Sequence, residues 1–415
     1  MPKFFERRAA AARILAASLP LTLASCGGSS PGTIIDIPNA VAVADLNNDG
    51  LPDIVVVSAQ IDQTGQTNPP GFAAVILNNP SKVGTFQPTM RFQSNGAPSG
   101  LALGDLTGSG AIDIVVADFS KGGVSVLLET APGSAHYNAA INITGLGSPN
   151  DVQLGDMSGS GHKDLVIADG TVTGGNLIIA PHDPANPGHF LSPSVTLPLP
   201  QRGIASAVGD LNGDGKLDVV ITSFDTSGNN GTISIFMQDP ANPGQFLPRT
   251  DISSPGQPSQ PLIVDINGDG LPDIVVASQG PGTDGTGTAG ATVLLQDPAN
   301  PGTFLAPVTY AGAVGSLSVA VGDLDKDGHP DIVLASPDPS GQGTFSILLQ
   351  DPANPGTFKP GTALTGLGRP LSVALADFNG DGYLDIVAAD GTGAVVYIQS
   401  TTTPGTFGTG TQAGG

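Results

Sequence analysis

The chain is poor in the residues that usually announce a mechanism. Among 415 residues there is no tryptophan, one cysteine, and only 14 lysines and arginines against 36 acidic residues. A single cysteine excludes a disulfide framework within the chain. The absence of a basic patch argues against nucleic acid as a partner. No apolar run is long enough to cross a bilayer as a helix. H-E-x-x-H, G-x-S-x-G and a phosphate-cradling glycine loop are all missing. The five histidines (His136, His162, His182, His189 and His329) share no ligand spacing, and each reads as a surface residue. The tryptophan-aspartate signature of WD propellers is absent too.

What the chain does have is one nine-residue loop, repeated seven times. The fullest copy runs Asp323-Leu324-Asp325-Lys326-Asp327-Gly328-His329-Pro330-Asp331. Four others are nearly as complete, from Asp45 to Asp53, Asp210 to Asp218, Asp265 to Asp273 and Asp377 to Asp385. Two are worn, from Asp105 to Asp113 and Asp156 to Asp164. Calcium takes six to eight oxygen ligands in a flexible shell. Side chains at positions 1, 3, 5 and 9, with a backbone carbonyl at 7, can supply them.

The ligand sets expected on this basis are five. They are Asp45, Asn47, Asp49, Leu51 and Asp53; Asp210, Asn212, Asp214, Lys216 and Asp218; Asp265, Asn267, Asp269, Leu271 and Asp273; Asp323, Asp325, Asp327, His329 and Asp331; and Asp377, Asn379, Asp381, Tyr383 and Asp385. Leu51, Lys216, Leu271, His329 and Tyr383 would give carbonyls. Glycine holds position 6 in every copy, where the chain turns sharply. The worn copies carry Thr107 and Ser109, or Ser158 and Ser160, at positions 3 and 5. They are expected to keep the turn and lose the ion, which leaves about five calcium sites. An EF-hand is excluded because position 12 is always apolar, Val56 and Leu334 among them, and the flanks are β-rich.

The first Asp of each loop falls at 45, 105, 156, 210, 265, 323 and 377. Each interval holds an apolar strand before the loop, one after it, a third, and then a turn such as Asp351-Pro352-Ala353-Asn354-Pro355-Gly356-Thr357-Phe358 that opens a fourth. Asp183, Asp239, Asp297 and Asp351 read as caps of these turns rather than metal ligands. Four strands repeated seven times predict an all-β, seven-bladed propeller of four-stranded antiparallel blades, with the calcium loops between strands 1 and 2. A parallel β-helix is the competing fold, but its repeats are shorter. Position 2 (Leu46, Leu106, Met157, Leu211, Ile266, Leu324, Phe378) reads as a core anchor. The two ends, Pro31-Gly32-Thr33-Ile34 and Pro404-Gly405-Thr406-Phe407, resemble each other, so either can close the ring.

The pattern D-x-[ND]-x-D-G-x-x-D between strands, followed by a Phe-led strand, resembles the FG-GAP/VCBS repeat. The resemblance covers residues 33 to about 407. It implies a seven-bladed propeller like that of integrin α chains, with ligands on the face opposite the calcium loops. Long loops on that face run from Ser58 to Gly71, Ser223 to Gly231 and Ser278 to Gly290. Arg202 and Arg369 lie near blade entrances there and read as solvated loop residues.

The N-terminus reads as a bacterial lipoprotein leader. A basic start with Lys3, Arg7, Arg8 and Arg13 precedes an apolar stretch, Ile14 to Leu23, then Leu23-Ala24-Ser25-Cys26. Residues 1–25 are read as the signal peptide, 26–32 as the lipidated Cys26 with a short linker, Gly27 to Gly32, reaching at most about 20 Å, and 33–415 as the propeller. The protein is therefore expected to be exported and held to a membrane by its lipid. These features favour a non-catalytic binding or adhesion module with a protein or glycan ligand. The alternative is a polysaccharide-active or other hydrolytic or lyase enzyme on the same scaffold.

Overall fold

The computed structural model describes residues 35–414, apart from 62–69, 172–173, 226, 228–230, 255, 282–286, 338–342 and 392. The leader, Cys26 and the linker lie outside the described residues, as do large parts of the three long loops. No helix among the described residues is long and apolar enough to cross a membrane.

Blade 1 comprises β1 (Ile35–Ala44), β2 (Asp53–Ile61), β3 (Phe72–Ile76) and β4 (Met90–Gln93), hydrogen-bonded in sequence order. Blades 2 to 7 repeat this order as β5–β8 (98–144), β9–β12 (149–198), β13–β16 (202–254), β17–β20 (258–311), β21–β24 (318–367) and β25–β28 (372–412). All pairings are antiparallel, and the acidic loops join the first two strands of each blade, as the spacing predicts.

Burial explains the strand composition. The second strand of each blade is buried along almost its whole length, Ile54 to Val57 and Ile332 to Ala335 for example, because a neighbouring blade covers each face. Such strands read as continuous apolar runs rather than alternating ones. Outer strands such as β4 alternate half-buried and exposed residues. The position-2 anchors are all within 1% of complete burial and plug the gaps between blades at the loop end.

Closure uses the C-terminal end. Strand β28 (Thr411–Gln412) pairs with β27 (Gly393–Tyr397) and completes blade 7. Blade 7 then meets blade 1 through a shared apolar cluster that includes Val41, Ile54, Phe378, Val387 and Val396. The Asn78 amide donates to the Phe378 carbonyl (2.8 Å), and Thr89 Oγ1 donates to the Gly414 carbonyl (2.8 Å).

Candidate functional site: the acidic loops and the channel mouth

The inner strands line a central channel, and each of their two ends carries a distinct set of polar groups. At one end sit the acidic loops. In the first loop Asp45 accepts from the N–H of Asp49 (3.1 Å) and Gly50 (2.8 Å). Asn47 Nδ2 donates to Asp49 Oδ2 (3.0 Å), and Leu51 N–H donates to Asp49 Oδ1 (2.9 Å). Loops 210–218, 265–273 and 377–385 repeat this arrangement, with Lys216, Leu271 and Tyr383 donating like Leu51. In the worn loop 105–113 hydroxyls substitute, Thr107 Oγ1 donating to Ser109 Oγ (2.8 Å).

Position 9 is placed differently from positions 1, 3 and 5. Asp53, Asp113, Asp164, Asp218, Asp273, Asp331 and Asp385 are buried. One oxygen of each accepts the position-2 N–H, and the other accepts the N–H of the residue two beyond the third strand. For Asp331 these donors are Leu324 and Gln350, both at 2.8 Å. The carboxylate thus locks the acidic loop to the next hairpin. Burial pushes the carboxyls of Asp53, Asp113, Asp218, Asp273, Asp331 and Asp385 up to about 6.

Two positions carry roles that the motif reading missed. Position 4 is left-handed in every loop, with φ of 57° at Asn48 and 60° at Lys326, and glycine elsewhere. The second residue beyond the third strand is an amide in five blades, and it staples three pieces of chain together. Gln350 Nε2 donates to the carbonyls of Pro330 (2.6 Å) and, across the blade interface, Ile266 (2.8 Å), while its Oε1 accepts from Gly356 (2.9 Å). The recurrence of Gln before Asp-Pro in Gln238, Gln296 and Gln350 was the available signal.

One loop, 323–331, groups its carboxylates as a hard cation requires. Among the described residues, Asp323, Asp325 and Asp327 each offer one carboxylate oxygen, and these three lie within 4.8 Å of one another. Asp323 Oδ1 is buried and accepts no hydrogen bond. An orphaned carboxylate oxygen beside two further carboxylates suits an all-oxygen cation such as calcium or magnesium. The caps of the Asp-Pro turns behave otherwise. Asp183, Asp239, Asp297 and Asp351 each bind the Asn three residues on, and that hydrogen bond holds them below the usual carboxylate range.

At the other end of the channel the inner strands β1, β5 (Pro98–Gly104), β9 (Pro149–Gly155), β13 (Arg202–Gly209) and β17 (Pro258–Val264) each break register at the same level. The residues at the breaks are Asn39, Ser99, Asn150, Ile204 and the pair Ser259 and Gln260. Bulges re-aim side chains, and here all of them line one chamber of about 130 Å³. Several also tie blade to blade. Asn39 Nδ2 donates to the Pro98 carbonyl (2.6 Å), Ser99 Oγ to the Pro149 carbonyl (2.9 Å), and Asn150 Nδ2 to the Gly203 carbonyl (2.6 Å).

Arg202 lines the same chamber, and it corrects the reading of this residue as a solvated loop arginine. It is only 7% exposed. Its guanidinium lies 5.7 Å from the centre of the Phe119 ring, and Nη2 reaches Asn150 Oδ1 at 3.4 Å. Nε is buried without a partner, and so is Asn39 Oδ1. Among the described residues no carboxylate pairs with Arg202, and burial alone pulls it down to about 10. Arg369 is half-buried and is also pulled down by burial. One step along from Asn150, Asp151 accepts from Ser206 N–H and Oγ (both 2.9 Å), and burial pushes its carboxyl up.

The histidines need a second correction. His182 is buried, not at the surface, and its ring stacks on His162 at 4.7 Å. It takes the place that Gln occupies in other blades, which explains its burial; that burial holds its pKa down.

Comparison with known proteins agrees with this architecture. The FG-GAP-like repeat pattern matches residues 45–116, 210–276, 265–334 and 327–388. No curated protein matches the chain in sequence. A solved structure of a periplasmic gluconolactonase from Pseudomonas aeruginosa is 15% identical, with 90% of this chain and 92% of that one covered and a TM-score of 0.54. The rhamnogalacturonan lyases YesX and YesW are 15% and 13% identical, covering 91% and 90% of this chain and 75% and 74% of theirs, with TM-scores of 0.47 and 0.45. The expectation that the chain is not an enzyme is thereby overturned. It rested on the missing catalytic motifs and on loops with little titratable chemistry, whereas a protein named as an enzyme shares the scaffold over nearly its whole length.

Proposed function

The chain belongs to the FG-GAP-like repeat family, and from that premise we propose a carbohydrate-directed enzyme whose substrate enters the channel mouth opposite the acidic loops. The observation that carries this reading is the run of bulges in blades 1 to 5 that turns side chains from neighbouring blades into one chamber beside Arg202. Arg202 offers a fixed charge in a site with little water, where an oxyanion developing on a substrate carbonyl is stabilised most. Asp151, the residue after Asn150 and held by Ser206, is the acid we assign to proton exchange. The propeller shared with a gluconolactonase supports sugar-derived substrates as the first class to try.

In this reading the five complete loops bind calcium and stiffen the frame, and the two worn ones do not. The protein is exported and tethered by lipid on Cys26, so that it works at a membrane surface. Two measurements test the proposal. Calcium-loaded protein is assayed in a pH-stat with sugar lactones and by absorbance for unsaturated products from acidic polysaccharides. Turnover that disappears in Leu317→Trp, which fills the chamber, is the expected result; binding without turnover across the panel defeats the enzymatic part. For the tether, Cys26→Ser is expected to move the protein from the membrane fraction to the soluble one, and a mutant that stays with membranes defeats the lipid reading.

A further inference from the structure

A buried guanidinium without a counter-ion is costly, and natural proteins seldom keep one unless something else pairs with it. Arg202 is such a group. It is more than nine-tenths buried, and its Nε faces no acceptor. Phe119 covers one side of the plane and Asn150 takes one long contact at 3.4 Å. Neither supplies the two parallel acceptors that a guanidinium fork is shaped for. Across the same chamber, Asn39 Oδ1 is a buried acceptor without a donor. Its orientation is fixed, because Nδ2 donates to the Pro98 carbonyl at 2.6 Å and a carbonyl can only accept. The rest of the lining includes the apolar faces of Phe119, Leu317 and Leu371.

We propose that this chamber binds the carboxylate end of a polyhydroxy acid, such as an aldonate or uronate. The carboxylate pairs with the Arg202 fork, a neighbouring hydroxyl donates to Asn39 Oδ1, and the C–H face of the ligand lies on the apolar wall. Three features select this class. The orphan groups are one fork of donors and one acceptor, and a hydroxy acid offers the complement of both. The chamber, at about 130 Å³, is smaller than a drug-sized pocket, so it receives an end group rather than a chain. The protein carries a formal charge of −22; the field of so acidic a body penalises a phosphate dianion more than a single carboxylate. The inference deepens the channel-mouth reading by stating what the ligand's charge must be.

Calorimetric titration of the full chain tests it, with D-gluconate and D-galacturonate as probes and D-galactose, inorganic phosphate and chloride as contrasts. The sugar acids are expected to bind and the contrasts to bind weakly or not at all. Arg202→Gln should lower affinity for the acids by about 30-fold or more, and Asn39→Ala by roughly three- to tenfold. A melt of each variant establishes that it folds; if Arg202→Gln does not, Asn39→Ala and Leu317→Trp carry the test. Galactose binding as tightly as galacturonate, unaffected by Arg202→Gln yet abolished by Leu317→Trp, overturns the acidic ligand while leaving the channel mouth as the site. Phosphate competing as well as the sugar acids overturns it in favour of an unselective anion hole. Failure of every probe to bind overturns both readings.

Discussion

The two ends of the inner strands obey opposite rules. At the loop end the same chemistry recurs blade after blade: an Asp at position 1 under the turn, a left-handed position 4, and a buried Asp at position 9 that accepts the same two N–H groups in all seven copies. At the mouth end the bulge recurs but its occupant changes, from Asn39 to Ser99, Asn150, Ile204 and Ser259. Every blade must make its own turn and lock its own hairpins, so those residues repeat. A binding site is needed once per molecule, so its residues are free to differ; Arg202, two residues before the bulge residue Ile204, stands eight before its loop's first Asp, a place that only Arg369 among the other blades fills with a basic residue.

If the loop end is scaffold, the largest effect in the molecule should come from emptying it. Five calcium sites, each contributing about 2.7 kcal/mol at a hundredfold excess over its Kd, would dominate the stability. Chelation is expected to lower the melting temperature steeply, with calcium restoring it in a concentration-dependent way. Asp327→Ala should remove part of that response, because it takes a carboxylate from the Asp323 cluster. Ser109→Ala should leave it intact. A melt unchanged in excess chelator, or equal losses from the two variants in calcium buffer, would erase the distinction between complete and worn loops.

Acidity should act on the same end next. Six position-9 carboxyls stand at about 6 in the folded chain against an ordinary 3.8. Between those values the folded state holds more protons than the unfolded one, so stability in chelator should rise as pH falls from about 7 towards 4. With calcium bound the trend should flatten or reverse, since protons compete with the ion for the same loops. Melts at pH 7.5 and 5, with and without chelator, decide it; a calcium-free protein that weakens on mild acidification contradicts the assigned shifts.

A single lock tests the scaffold more locally. Asp331→Ala leaves the buried N–H groups of Leu324 and Gln350 without acceptors. At roughly 1–3 kcal/mol for each orphaned group, the loss should be about 2–6 kcal/mol in a urea titration. Arg202→Gln, at the other end, should cost nothing in the same titration or should stabilise, because it removes an unpaired buried charge. Equal destabilisation by both would mean that the two ends do not differ in kind.

The repeated end was legible in the sequence for the same reason that it is scaffold. Seven copies of a motif average out local noise, so blade number, strand order and core anchors from Leu46 to Phe378 could be read from spacing alone. Asp183 and its three counterparts were likewise separable from ligands by their Pro-Ala-Asn context. The mouth was not legible. A bulge shifts register by one residue, and nothing in the local composition around Asn39 or Asn150 distinguishes it from an ordinary strand start. Arg202 sits beside Gln201 and Gly203, a neighbourhood that reads as a loop, and what lies against it, Phe119 and Asn150, comes from other blades. His182 misled in the same way, since its burial follows from the hairpin lock and not from its neighbours in sequence.

The finest test of the repeat concerns its one irregular residue. Lys326 holds the left-handed position 4 that glycine fills in five of the other loops and Asn48 in the sixth. A lysine there costs about 1 kcal/mol relative to glycine. Its ammonium, however, lies 3.8 Å from the centre of the Tyr383 ring in the neighbouring blade's loop. An exposed cation–π contact of this kind contributes about 0.5–1 kcal/mol, so strain and contact nearly cancel. Lys326→Gly should therefore leave the melting temperature almost unchanged in the native background. In Tyr383→Leu, where the contact is already gone, the same substitution should stabilise by about 1 kcal/mol. Identical effects in the two backgrounds would show that the ring does not hold the lysine, and that position 4 tolerates it for a reason local to its own loop.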